Sequence, residues 1–303
     1  MNVDQNPHMP SLTPSLTRSR RACLVAALGA SLPLALRAQT ATRAPRLVTI
    51  SGAITEVVYA LGAEAQLVGT DTTSLYPAAA QKTPKVGYLR QLSAEGVLSL
   101  KPDAIIATTE AGPPVVLDQL RSAGVKVELV KSEYTWDDVR AKVQAVGRAS
   151  GREAAARELQ ARLDAEWAQL GQQVSQQVAA QKRPKPRVLF ILSHGAAPQV
   201  AGQGTAADAL IRFAGGVNAF TGFTGYRPMT AEAMASAAPD FILTTEQGIE
   251  ALGGTEKFWQ RPELALTPAF RHRALIAQDA LLLMGFGPRL PESVRGVHTR
   301  LYA

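Results

Sequence analysis

The chain has 303 residues, of which 46% are apolar and 19% are charged, and its formal net charge is +7. This length is sufficient for two domains of ordinary size, and the composition is that of a globular protein. Basic residues do not form a block interleaved with aromatic residues, which argues against nucleic-acid binding. The single cysteine, Cys23, lies in the N-terminal segment, so the rest of the chain can form neither a disulfide nor a thiolate metal site.

Residues 1–38 have the pattern of a signal peptide. Three arginines, Arg18, Arg20 and Arg21, precede an apolar run at 22–36. That run is shorter than the roughly 20 residues that a membrane-spanning helix needs. We expect cleavage near Ala38 and export from the cytoplasm. The Arg20-Arg21 pair is also compatible with the twin-arginine route, although an ordinary basic flank on a Sec signal is the simpler interpretation.

Strands and helices then alternate along the chain. Strands are predicted at 46–50, 66–69, 104–108 and 125–130, and helices at 55–61, 93–100 and 115–123. Thr135 and Asp138 have the spacing of a capping box at the start of a further helix. The alternation predicts an α/β fold with a mainly parallel sheet covered on both faces.

One long helix is predicted over 152–181. Its apolar residues recur every three or four positions from Leu159 to Val178, and two prolines follow it. Thirty helical residues would span about 45 Å, enough to run alongside two doubly wound lobes and join them as a rigid backbone. The domains that we expect are a signal peptide at 1–38, an N-terminal α/β lobe at 45–140, linking helices at 141–183 and a C-terminal α/β lobe at 184–303.

The second half of the chain repeats the first. After the prolines, strands are predicted at 187–192 and 241–243, and helices at 206–214 and 229–237. The segment from Gly87-Tyr88 to Ala94-Glu95 matches the one from Gly225-Tyr226 to Ala231-Glu232, and in both a Pro-Asp pair and an apolar strand ending in Thr-Thr-Glu follow. Two similar lobes joined by a helix have a cleft between them, and such clefts are preferred ligand sites.

Few residues have the chemistry of a metal or catalytic site. Of the four histidines, only His194 directly follows a predicted strand, and one histidine is too few for a zinc or manganese site. His194 is either a hydrogen-bonded loop residue or a ligand. The sequence contains neither a Gly-x-Ser-x-Gly elbow nor a phosphate-binding loop, which makes an enzyme a poor interpretation.

Tyr88 stands in a loop of the first lobe, and Arg90 is two residues further on. A phenolate oxygen suits ferric iron, and tyrosine is a known axial ligand of haem. A free tyrosine ionises only near pH 10, so it needs a neighbouring cation to bind as a phenolate. Arg90 could supply that charge or pair with a haem propionate. On the residues alone, a tyrosine at the edge of the core beside a surface arginine is the alternative.

Several motifs carry a resemblance to a known family. They are the segments 52–62, 86–96, 192–195, 201–208 and 214–219, with Tyr226-Arg227-Pro228 after them. Residues 45–303 resemble the periplasmic haem-binding proteins of bacterial haem ABC importers, which belong to the wider class of helical-backbone receptors for haem, cobalamin and siderophores. The Gly-Tyr-x-Arg-Gln-Leu segment is specific to the haem branch, whose axial tyrosine matches Tyr88.

The resemblance implies a receptor, not an enzyme, that holds haem in the inter-lobe cleft as transported cargo. Tyr88 would be the axial ligand of the iron, and Arg90, Tyr226 and Arg227 would contact the propionates or the porphyrin. Some family members use a second-lobe histidine or hold two stacked haems, and His194 is the candidate for such a histidine. A siderophore or cobalamin receptor is the alternative within the class, and a periplasmic α/β enzyme is the alternative outside it.

The resemblance also implies the partners. A monomeric periplasmic protein would deliver haem to an ABC permease dimer with its cytoplasmic ATPase. It would contact the membrane only through that permease. One acidic residue on each lobe, Glu95 and Glu232, would dock on arginines of the permease.

Overall fold

The computed structural model describes residues 43–193 and 198–303, so the predicted signal peptide and His194 lie outside the described residues. The strands are β1 (Leu47–Ile50), β2 (Leu67–Thr70), β3 (Ala104–Thr108), β4 (Lys126–Val130), β5 (Arg187–Leu192), β6 (Gln199–Ala201), β7 (Val217–Asn218), β8 (Tyr226–Pro228), β9 (Phe241–Thr245) and β10 (Leu275–Gln278). The helices are α1 (Gly52–Ala60), α2 (Ala94–Leu98), α3 (Pro114–Ser122), α4 (Trp136–Ser150), α5 (Glu153–Ala180), α6 (Ala206–Phe213), α7 (Ala231–Ala237), α8 (Glu246–Ala251), α9 (Thr255–Trp259), α10 (Pro268–His272), α11 (Ala280–Met284) and α12 (Leu290–Leu301). Over these two ranges, none of the helices is both long enough and apolar enough to cross a membrane.

The strands form two sheets, and each sheet with the helices packed on it is called a lobe below. The first sheet has the order β2-β1-β3-β4 and is parallel throughout. The second has the order β10-β9-β5-β6-β8, with β7 also paired to β5. Its strands β10, β9 and β5 are parallel, whereas β6 is antiparallel to both β5 and β8. The predicted α/β class with two mainly parallel lobes is confirmed, and the second sheet has an antiparallel edge that was not predicted.

Both faces of the central strands are buried, which is why these strands are apolar at consecutive positions. In β1, Leu47 packs into one hydrophobic core while Val48 and Ile50 pack into another. In β5, Phe190 and Leu189 likewise enter different cores. Successive side chains of a strand point to opposite faces, so both sheets lie between layers of helices.

One core extends through both lobes along α5. This helix has 28 residues, so it is about 42 Å long. Its residues Leu159, Leu163 and Leu170 are buried in the same core as Leu47 of the first sheet and Phe190 of the second. The helix therefore joins the lobes through a continuous apolar layer, as its predicted length suggested.

Aromatic rings reinforce this junction. Trp167 of α5 stacks on Trp136 of the first lobe, with ring centroids 4.6 Å apart and an interplanar angle of 2°. Phe213 of the second lobe meets the same Trp167 edge-on at 4.9 Å. Such pairs contribute about 0.5–1.5 kcal/mol beyond their buried area. The rings thus connect the two lobes through the backbone helix.

The internal repeat recurs in the hydrogen bonding of the two lobes. Asp103 accepts a hydrogen bond from the backbone N–H of Arg46 at 2.7 Å, and Asp240 accepts one from that of Arg187 at 2.8 Å. Each arginine also donates its guanidinium to carbonyl groups just before its partner aspartate. The Pro-Asp pairs of the repeat therefore hold the beginning of the first strand of each lobe in the same way.

Candidate ligand-binding cleft

Tyr88 and Arg90 are in direct contact. The Nη1 group of Arg90 donates to the phenol oxygen of Tyr88 at 2.7 Å. The Nη2 group of the same guanidinium donates to Oε1 of Glu110, also at 2.7 Å. Tyr88 is 38% exposed, so its ring stands at the protein surface rather than within a core. The tyrosine and arginine selected from the sequence therefore form one unit, which Glu110 completes.

The loop that carries Tyr88 is anchored on both sides of it. Gly87 has a φ of 105°, in the region that favours glycine. Leu89 and Leu92 are buried in the first-lobe core. The carbonyl of Leu89 accepts from the N–H of Gly112 at 2.9 Å, and the N–H of Leu92 donates to the carbonyl of Gly112 at 3.0 Å. These two bonds hold the tyrosine loop against the segment that begins at the end of β3.

Tyr134 is a further residue of this cluster that sequence reasoning missed. Its hydroxyl donates to Oε1 of Glu110 at 3.0 Å. Burial, followed by the negative charge of Glu110, raises the pKa of Tyr134 far above its usual value. Tyr134 therefore keeps its proton and acts as a hydrogen-bond donor. No sequence motif indicated this, because Glu110 and Tyr134 are 24 positions apart and meet only through the pairing of β3 with β4.

Tyr226 approaches this cluster from the second lobe. Burial raises the pKa of Tyr226 to about 12. The negative charge of Glu110 acts in the same direction, and the positive charge of Arg90 opposes it. Glu110 and Arg90 of the first lobe are therefore near enough to Tyr226 of the second lobe for their charges to act on it. The repeated Gly-Tyr pair thus contributes one tyrosine from each lobe.

Arg227 has different neighbours from Tyr226. Its guanidinium carbon lies 4.6 Å from the centroid of the Phe223 ring, a cation–π geometry. Because consecutive residues of a strand project to opposite faces, Tyr226 and Arg227 of β8 point in different directions. Arg90 and Arg227 consequently have unlike surroundings, although both follow the repeated Gly-Tyr.

The remaining histidines of the described residues are not near this cluster. His298 is buried, with Nδ1 2.9 Å from the carbonyl oxygen of Ala214 and Nε2 3.0 Å from Oε1 of Gln177. His272 is exposed at the end of α10. His298 therefore has a structural position, and His272 lies on the surface.

Glu95 and Glu232 occupy matching places in the two lobes. Glu95 lies in the first turn of α2, which Ser93 caps by accepting from the N–H of Gly96. Glu232 lies in the first turn of α7, which Thr230 caps by accepting from the N–H of Ala233. Both carboxylates are exposed and offset the helix dipole.

Two α/β lobes with one long rigid helix between them define a substrate-binding protein of the helical-backbone class. The chain belongs to the periplasmic binding protein family, whose model matches residues 47–280.

Solved structures of similar proteins share this fold over almost their whole length. The periplasmic heme-binding protein BhuT in complex with two hemes is 44% identical, with 85% of this chain and 98% of that chain covered and a TM-score of 0.80. The periplasmic heme-binding protein RhuT from Roseiflexus sp. RS-1 is 36% identical, with 86% and 98% covered and a TM-score of 0.79. A curated relative, the vitamin B12-binding protein of Vibrio vulnificus, is 27% identical over 69% of this chain and 74% of its own length.

Proposed function

We propose that the protein is a periplasmic receptor that captures haem in the cleft between its lobes and delivers it to an ABC importer, without catalysing a reaction. The observation that carries this proposal is the 2.7 Å hydrogen bond from Arg90 to the phenol oxygen of the exposed Tyr88. The similarity to heme-binding proteins over nearly their whole length supports it.

The chemistry of this pair suits a ferric iron ligand. A phenolate is an anionic oxygen donor, and the guanidinium beside it supplies the positive charge that such a donor needs. The Tyr88 ring is exposed, so a porphyrin can approach it from the cleft. Haem is thus the cargo, and the iron is bound through Tyr88.

Residues of the second lobe would complete the site. Tyr226 faces the Tyr88 cluster and can pack against the porphyrin. Arg227, which stacks on Phe223, can pair with a propionate. His194 follows β5, whose carboxyl end lies where α/β proteins bind ligands, and we propose it as a haem-binding residue.

The partner we propose is a dimeric ABC permease with its cytoplasmic ATPase. Glu95 and Glu232 lie on equivalent helices of two similar lobes, so a monomer with pseudo-two-fold symmetry can match a two-fold permease. The protein would reach the periplasm through a cleavable signal peptide, by the Sec or the twin-arginine route, and would contact the membrane only through the permease.

A second candidate function is cobalamin or siderophore binding. The similarity to a vitamin B12-binding protein favours it, because the fold is shared. The haem proposal accounts in addition for the contact between Tyr88 and Arg90, because a phenolate beside a guanidinium suits the axial ligand of ferric haem.

A hemin titration tests the proposal. We expect the wild-type protein to give a high-spin, tyrosinate-type spectrum with a charge-transfer band, and Tyr88→Phe to lose that band and bind much more weakly. Tyr59→Phe, a tyrosine on α1 outside the cluster, is the matched control and should behave like the wild type. A wild-type spectrum from Tyr88→Phe, or binding of cyanocobalamin in preference to hemin, would overturn it.

A further inference from the structure

Glu110 lies at the centre of the cleft cluster. Its Oε1 atom accepts one hydrogen bond from Arg90 at 2.7 Å and another from Tyr134 at 3.0 Å. We propose that Glu110 and Tyr134 are positioning residues that set the strength of the hydrogen bond from Arg90 to Tyr88, and thereby the preference of Tyr88 for ferric over ferrous haem. This inference rests on the proposed function and goes beyond it, because a receptor can bind haem without any control over the oxidation state.

The geometry of the guanidinium makes this control direct. A guanidinium is planar and presents its N–H groups in a rigid fork, so two acceptors on neighbouring nitrogens fix its orientation. In Arg90 one of those acceptors is the Tyr88 oxygen and the other is Glu110. The Arg90 side chain is 53% exposed, so without a second acceptor it would sample several rotamers. Glu110 therefore holds Arg90 on Tyr88.

Tyr134 in turn is held on Glu110. Its backbone has a φ of 57°, which is unfavourable for a bulky residue. The N–H groups on either side of it, those of Glu133 and Thr135, both donate to Oδ2 of Asp138 at 2.7 and 3.1 Å. Its ring meets Phe286 edge-on at 5.4 Å. Local capping and an inter-lobe contact thus stabilise a backbone conformation that points the hydroxyl at Glu110.

The charges predict the sign of the effect. The negative charge of Glu110 compensates part of the positive charge on Arg90, so Arg90 withdraws less electron density from a Tyr88 phenolate. Such a phenolate donates more strongly to iron and favours the ferric state. Hydrogen bonding from Tyr134 withdraws charge from Glu110 and has the opposite effect. Tyr134, Glu110 and Arg90 thus form a series in which each residue changes the effective charge of the next.

The test compares the reduction potential of the haem complex among variants. Glu110→Gln keeps an oxygen for both donors but removes the charge. We expect the ratio of ferric to ferrous affinity to fall about tenfold, which raises the midpoint potential by about 59 mV for a one-electron couple. The charge-transfer band should move to shorter wavelength. Tyr134→Phe should shift the potential in the opposite direction by a smaller amount.

Glu133→Gln is the matched control, because it removes an exposed carboxylate one residue from Tyr134. Its potential should equal that of the wild type. If Glu110→Gln binds haem through Tyr88 with an unchanged potential and band, the inference is overturned while the proposed function stands. Equal shifts in Glu110→Gln and Glu133→Gln would also overturn it, since they would reflect net charge alone. A spectrum that does not depend on Tyr88 overturns the proposed function instead.

Discussion

Arg289 of the second lobe donates two hydrogen bonds to Glu56 of the first lobe, 233 positions earlier in the chain. The Nη2 and Nε groups reach the two carboxylate oxygens at 2.6 and 3.0 Å. The Glu56 side chain is only 5% exposed, and the Arg289 guanidinium lies 3.6 Å from the centroid of the Tyr76 ring. Burial raises the pKa of Glu56, because the desolvation of its carboxylate outweighs the lowering by Arg289. This pair ties the lobes together on the side of α1 and α12.

Removing one partner of this pair should destabilise the fold. Arg289→Met leaves the Glu56 carboxylate buried without its partner, and such losses cost about 3–5 kcal/mol. Urea denaturation should show this fall in the free energy of unfolding. Arg295→Met is the matched control, because Arg295 pairs with Glu166 at 2.9 Å between half-exposed side chains. Its cost should be below about 1 kcal/mol. Equal costs for the two variants would contradict the prediction that burial makes the Glu56 pair matter more to stability.

Lys142 should make stability depend on pH in the alkaline range. It is almost wholly buried, and its ammonium donates to the carbonyl of Phe286 at 2.9 Å. Burial lowers its pKa from 10.5 to about 8, although Asp138 and Glu110 oppose the shift. Between these two values the unfolded chain binds the proton and the folded protein does not, so the free energy of unfolding rises with pH.

Lys142→Met should lack this dependence. From pH 8 to 10.5 the unfolding free energy of the wild type should rise relative to that of the variant. The rise should be up to about 3 kcal/mol, at 1.36 kcal/mol per pKa unit. Chemical denaturation across that range measures it. Lys131→Met, at an exposed position, should run parallel to the wild type. Parallel curves for Lys142→Met as well would contradict the prediction.

Arg90 and Arg227 should affect haem binding in different ways. Arg227→Ala removes a charge for a propionate, and a salt link in a partly dry site contributes about 1–3 kcal/mol. The affinity should fall about tenfold or more, since 1.4 kcal/mol corresponds to one decade. Arg90→Ala should weaken binding as well and also shift the charge-transfer band, because Arg90 contacts Tyr88. Arg271→Ala, at an exposed site, serves as the charge control in the hemin titrations. Wild-type affinity in both Arg90→Ala and Arg227→Ala would show that the propionates face elsewhere.

The docking glutamates should matter for transport alone. Exposed ion pairs contribute about 0–1 kcal/mol each, so docking needs both lobes to engage together. We expect Glu95→Ala combined with Glu232→Ala to bind haem normally and to lower transport strongly in vesicles that contain the permease and ATPase. A control that combines Glu133→Ala with Glu256→Ala removes one exposed acid from each lobe and should transport normally. Loss of haem binding in either single docking variant, or full transport by the double one, would refute the assignment.

Features that depend on residues close together in the chain could be predicted from the sequence. The long helix was predicted at 152–181 and spans Glu153–Ala180. The capping box of Thr135 and Asp138 is present, because such a box depends on a spacing of three residues. The repeat was visible because both lobes use the same short motifs. The strands β6 and β8 were missed, since three residues are too few to show a period of two.

Which groups from distant parts of the chain meet depends on the tertiary structure. Arg90 was assigned two roles from the sequence, and the structure joins it to Tyr88 and Glu110. That junction exists because the backbone of Gly112 hydrogen-bonds to both Leu89 and Leu92, which brings the end of β3 beside the tyrosine loop. Contacts of this kind depend on how strands pair and layers pack, and a hydrophobic pattern specifies which face is buried but not which polar groups come to face each other.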